Sequence, residues 1–140
     1  MTEIKTTTVI EVPFYDVDAM EVAWHGNYVK YMEQARCQLL DMIDYNYPQM
    51  KVSGYLWPVV ELKIKYIKPL LFQQKIAIDA ILSEHEYGLR VDFVFWDVET
   101  QTKLTKAHTK QVAVNIESNE MCLVSPDILQ NKINSYLESV

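Results

Sequence analysis

Two carboxylates one residue apart, Asp16 and Asp18, close a strand-like segment, and His25 follows seven residues after the second. Gly26 and Asn27 come next, where a helical pattern begins. An aspartate with a reference pKa of about 3.9 is ionised at neutral pH and serves as a nucleophile or as a base toward water. Unpaired backbone N–H groups at a helix start take up the negative charge that develops on a carbonyl oxygen. The two parts together suffice for attack on an activated carbonyl. A thioester suits them, because a leaving thiol with a pKa of about 8.5 departs without a strong general acid. Gly26 allows a ligand close to the backbone.

Each of these residues also has a plainer use. Aspartate is common in turns and caps, and alternating side chains cannot both face one pocket, so Asp16 reads as structural. His25 is either a donor that orients a ligand or a polar residue at a helix entrance. Trp24, Trp57 and Trp96 suit a core as well as a substrate wall. His25, His85 and His108 are scattered without paired ligands, so no metal site is expected, and no cofactor.

The segment is positioned by a strand before it and a helix after it. Ile4 to Tyr15 alternates and is rich in Thr, Val and Ile, with Pro13 marking an edge or an end. From Asn27, a plausible N-cap, Tyr28, Met32, Ala35, Leu39, Met42 and Ile43 recur at helical spacing. That helix should stop around Asp44 to Asn46, with Pro48 beyond it, and a loop should run through Gly54. Strands are expected over Leu56 to Tyr66, Gln74 to Glu84, Leu89 to Asp97 and Lys103 to Asn115, joined by short turns. Ser125-Pro126-Asp127 reads as a capped helix start, followed by an amphipathic helix carrying Ile128, Leu129, Ile133 and Leu137. Strand, long helix, four strands and helix make an α+β fold with an antiparallel sheet packed by the helix.

Composition sets the limits. With 140 residues, 49% hydrophobic and 23% charged, the chain is expected to form a single domain over 1–140. A net charge of −6 argues against general nucleic-acid binding. Local basic surface remains open: Lys63, Lys65 and Lys68, with Lys103, Lys106 and Lys110, lie on strands that could neighbour each other and read as a solvated face or a site for nucleotide phosphates. No window approaches a membrane span, and Met1-Thr2-Glu3-Ile4-Lys5 lacks the core of a signal peptide. Cys37 and Cys122 have no metal spacing and read as free thiols, so a cytoplasmic setting is expected.

The run Phe14, Asp16-Val17-Asp18, Val22, Trp24-His25 and Asn27-Tyr28, with Tyr31-Met32-Glu33-Gln34-Ala35-Arg36 after it, resembles the hotdog-fold acyl-CoA thioesterases of the 4-hydroxybenzoyl-CoA thioesterase and YbgC-like group. Val59-Val60-Glu61 and Tyr66-Ile67-Lys68-Pro69 look like the second strand of that family. The resemblance implies an antiparallel sheet wrapped around a long central helix, and a homodimer or homotetramer with active sites at subunit interfaces. It implies Asp18 as the catalytic carboxylate and His25 at the helix entrance, with a backbone N–H and an imidazole. Trp24, Gly26 and Asn27 are expected to bind substrate, an acyl thioester of coenzyme A or of acyl carrier protein. A 3-hydroxyacyl-thioester dehydratase, using His25 with Asp18, and a non-catalytic acyl-CoA-binding module are the alternatives. Where the family commonly carries glycines after the catalytic Asp, this chain has Met20 and Glu21, which puts the local backbone in question.

Overall fold

The computed structural model describes residues 3–140; Met1 and Thr2, which open the segment read as lacking a leader core, lie outside the described residues. Strand β1 (Lys5–Glu11) runs into one turn of 3-10 helix (Phe14–Asp16). Helices α1 (Asn27–Met42) and α2 (Tyr47–Val52) follow. Then come β2 (Tyr55–Leu56), β3 (Val59–Tyr66), β4 (Lys75–Glu84), β5 (Leu89–Asp97), β6 (Lys103–Gln111), β7 (Val114–Asn115) and α3 (Asp127–Ser139). Five strands form an antiparallel sheet in the order β1-β4-β5-β6-β3, and β2 pairs with β7. The α+β class and the antiparallel sheet are as the sequence pattern predicts.

One face of the sheet carries the core. Ile76, Ile78 and Ala80 of β4 and Leu89, Val91, Phe93 and Phe95 of β5 alternate inward and are buried. Tyr28, Tyr31, Met32, Ala35, Leu39 and Leu40 of α1 are buried in the same cluster. Each large apolar side chain removed from water contributes about 1.5–3 kcal/mol. The β4–β5 connection depends on Gly88, at φ +125°, where a Cβ would come 2.9 Å from the Gln111 carbonyl oxygen.

Arg36 departs from the apolar stripe. It is 1% exposed, and its guanidinium donates to Glu33, to the Tyr47 hydroxyl at 2.7 Å and to Thr109 Oγ1 at 3.3 Å. One buried cation thereby ties α1 to α2 and β6.

Several boundaries move. β1 ends at Glu11, because Pro13 has no N–H for the ladder and the chain turns into the 3-10 segment. Asn27 is not the N-cap of α1: Gly26 holds that position, and the Asn27 amide points back to the Asp16 carbonyl. α1 closes on Asp44 at φ 55°, with Asp44 N–H donating to Asp41 O and Tyr45 N–H to Leu40 O. Pro48 does not mark the end of structure but lies inside α2, whose start is a capping box between Asn46 and Gln49. The expected strand over Leu56 to Tyr66 breaks at Trp57-Pro58, where Trp57 buries itself and donates to the Tyr45 hydroxyl. The strand over Lys103 to Asn115 likewise divides, its end leaving the sheet to pair with β2. α3 begins at Asp127 after Pro126, while the Ser125 hydroxyl accepts the Gly88 N–H at 2.9 Å instead of capping the helix.

Candidate active site

Asp16 and Asp18 point into different environments. Asp16 is 5% exposed and accepts from Lys30 Nζ and from the Tyr31 hydroxyl, both at 2.7 Å. Its carbonyl accepts the Trp24 N–H at 3.0 Å and the Asn27 side-chain amide at 2.8 Å. Four contacts thus fasten the end of β1 to the start of α1. Burial, and then the Asp16 carboxylate, push the Tyr31 phenol far above its ordinary range. Tyr31 therefore stays a donor to Asp16 at any physiological pH.

Asp18 lies at the head of the intervening loop and is exposed. Its N–H donates to Val22 O and its carbonyl accepts from Glu21 N–H, both at 2.9 Å. The carboxylate accepts the Met20 N–H at 2.8 Å, its one protein hydrogen bond among the described residues. The other face of the carboxylate is left for a ligand. Bridges Val17–Ala23 and Val22–Leu71 fix the loop at its base. Glu21 sits at φ 63°, the left-handed conformation that glycine adopts without cost. Glu21 thus takes a glycine-favoured conformation where the chain has no glycine.

Asp18 shares a cavity of about 320 Å³ with Trp24 and His25, and with Tyr28, Tyr66 and Lys68. That volume is at the small end of ligand sites. Tyr28 forms the apolar floor: it is 2% exposed, stacks on Phe95 at 5.9 Å, meets the Tyr66 ring edge-on at 4.8 Å and accepts the Leu70 N–H at 3.3 Å. Burial pushes its phenol up, so the hydroxyl stays neutral.

The helix entrance supplies fewer donors than its position suggests. Asn27 N–H donates to Trp24 O and Tyr28 N–H to His25 O. Among the described residues, the His25 and Gly26 N–H groups donate to no protein acceptor. Gly26 and Asn27 lie beside the cavity, outside its lining. The Trp24 indole is half exposed, packs 5.0 Å from the His25 ring and covers Gly26 so closely that a Cβ there would lie 2.1 Å from a ring carbon. Gly26→Ala is therefore expected to push Trp24 out of place, at about 1–3 kcal/mol of stability, and to weaken substrate binding. Thermal unfolding and KM check this, and Trp24→Ala in the same chain should restore most of the lost stability.

The sequence reading missed Tyr66 and Lys68 as cavity residues and took Tyr28 only as core. Their signal was present in the Tyr66-Ile67-Lys68-Pro69 segment. Among the described residues, no three His, Cys, Asp or Glu side chains gather to hold a metal, and no helix is long and apolar enough to cross a membrane. Cys37 and Cys122 are both free and half-buried.

The chain is similar to known proteins in sequence and in fold. YneP of Bacillus subtilis (strain 168), provisionally named an acyl-CoA thioesterase, is 28% identical over 110 residues, which is 78% of this chain and 79% of that protein. The fold matches a 1,4-dihydroxy-2-naphthoyl-CoA thioesterase from Synechocystis with TM-score 0.81 at 16% identity, covering 92% of this chain and 95% of the other. A 12:0-ACP thioesterase from Umbellularia californica matches with TM-score 0.83 at 15% identity, covering 97% of this chain and 55% of the other. The sequence pattern of the Thioesterase-like superfamily matches residues 12–131, and the chain belongs to that superfamily.

Proposed function

We propose that the Asp18 cavity hydrolyses an acyl thioester, of coenzyme A or of acyl carrier protein, to the free acid and thiol. Thioester hydrolysis is the reaction class of the named relatives, and the chain is a thioester hydrolase of that kind. The observation that carries the assignment to this cavity is an exposed Asp18 that, among the described residues, accepts one protein hydrogen bond and sits beside a helix entrance whose His25 and Gly26 N–H groups donate to no protein acceptor. Asp18 takes a proton from water as the water oxygen attacks the carbonyl carbon, or attacks that carbon itself. The carbonyl electrons move onto oxygen, where the His25 and Gly26 N–H groups receive them. Collapse expels the thiolate, which in the first route takes the proton held by Asp18; in the second it leaves an anhydride on Asp18, which water cleaves to the free acid and the restored carboxylate, its proton going to the thiolate. Trp24, Tyr28 and Tyr66 flank the acyl group, and Asn27 holds the helix start in place through Asp16. Asp18 makes no hydrogen bond to His25 among the described residues, which favours hydrolysis over a His-based dehydration. Coenzyme A and carrier-protein thioesters of graded acyl length, assayed for thiol release with mass spectrometry of products, test this. Free acid is expected; an intact, dehydrated thioester, or binding without turnover across the panel, overturns it.

The same reading treats residues 1–140 as one hotdog domain of the 4-hydroxybenzoyl-CoA thioesterase and YbgC-like branch, cytoplasmic, with α1 as the central helix. It also makes the protein a homodimer, or a tetramer built from two such pairs. β3 is an edge strand, and Val60, Leu62, Tyr66 and Ile67 on or beside it are exposed. An open edge with apolar side chains invites pairing, and β3 runs directly into cavity residues Tyr66 and Lys68. Leu62→Lys is expected to yield monomers by sedimentation and to lower kcat/KM at least tenfold. A variant that stays oligomeric and active contradicts the β3 interface.

A further inference from the structure

The opposite face of the sheet carries a cluster that the Asp18 cavity does not use. On β3, β6 and β5 the register places Glu61, Lys110 and Arg90 side by side, then Lys63, His108 and Asp92, then Lys65, Lys106 and Val94. These nine positions hold five fixed cations and two carboxylates, in a chain whose net charge is −6. Both carboxylates are already engaged: Glu61 with His108 at 2.7 Å and Asp92 with Arg90 at 3.1 Å. The His108 contact holds the Glu61 carboxyl below its usual range. Among the described residues, Lys63, Lys65 and Lys106 form no ion pair, and Lys65 stands directly opposite Lys106.

Like charges directly opposed across antiparallel strands destabilise a sheet. All three lysines line a concavity of about 480 Å³ on this face, together with Arg90, His108 and the Arg90-paired Asp92. Side chains two apart on one strand are roughly 7 Å apart, and directly opposed ones about 5 Å. Flexible stems from such a triangle converge on one compact, multiply charged group. A concave site also concentrates their field.

We propose that this concavity binds a ligand bearing two or more adjacent phosphates, held by Lys63, Lys65 and Lys106. Lysine is a point-charge partner for phosphate, and three of them balance a charge density that a peptide, with one carboxylate per residue, does not reach. A second copy stacked on this face would set lysine against lysine. The proposal is independent of the Asp18 reading, because binding rather than hydrolysis is its measure.

Isothermal titration of the purified protein with sodium tripolyphosphate, at low salt where screening is weak, tests it. Adenosine 5′-triphosphate is titrated in parallel. Saturable binding with one tripolyphosphate per chain is expected, weakened at least tenfold in Lys65→Gln/Lys106→Gln. Without ligand, that variant should melt at a higher temperature than the parent, since the opposed charges are gone; a structural role would lower it. Tighter binding of the nucleoside triphosphate would identify a nucleotide as the source, and tighter tripolyphosphate an inorganic one. Absence of saturable binding, binding undiminished in the double variant, or equal affinity for poly-glutamate overturns the proposal.

Discussion

Asp18→Asn is expected to lower thioester hydrolysis by about 10²–10⁴-fold, the range for loss of a positioned base, while leaving the fold intact. The side chain is exposed and, among the described residues, accepts one protein hydrogen bond, from the Met20 N–H at 2.8 Å. An asparagine carbonyl oxygen accepts the same bond, so the turn that carries residue 18 survives. What disappears is the charge and the ability to hold a proton. The effect should fall on kcat, with KM changed little, because Trp24, Tyr28 and Tyr66 still shape the cavity. Steady-state kinetics on the substrate found in the thioester panel, with thermal unfolding as a control, measure this. Near-parental turnover in a folded Asp18→Asn protein would remove Asp18 from the reaction.

The order of elements and the apolar faces were legible in the sequence because both follow from local periodicity. Residues 28, 32, 35 and 39 form one helix face, and those of β4 and β5 alternate, whatever else the chain does. What was not legible depends on partners distant in sequence. Arg36 lies buried because Tyr47 and Thr109 reach it, and no local pattern announces a cation at the centre of an apolar stripe. Asn27 has the composition of a cap, yet its amide is drawn to Asp16 O, eleven residues earlier. The Asp18 segment was legible as a motif, but its cavity was only half so. Tyr66 and Lys68 join it through β3, which pairs with β6 and lies some forty residues from His25. Glu21 shows the converse: a residue type that disfavours the turn is held at φ 63° by the bridges around it.

Asp16→Ala should give the opposite phenotype from its neighbour: a large loss of stability and a small loss of turnover. The substitution leaves the buried Tyr31 hydroxyl without its acceptor, which costs about 1–3 kcal/mol, and removes the partner of Lys30. Lys30 is half exposed, so water compensates its charge and that part of the loss is under about 1 kcal/mol. A total near 2–3 kcal/mol corresponds to a fall in Tm of roughly 6–12 °C for a chain of this size. The backbone contacts that aim the loop, from Trp24 N–H and the Asn27 amide to the Asp16 carbonyl, do not involve the deleted side chain. Well below the lowered Tm, kcat/KM is therefore expected within about tenfold of the parent. Thermal melts and kinetics on the paired Asp16→Ala and Asp18→Asn proteins separate the two acids. If Asp16→Ala abolished hydrolysis without changing Tm, the assignment of structure to the first acid and chemistry to the second would have to be reversed.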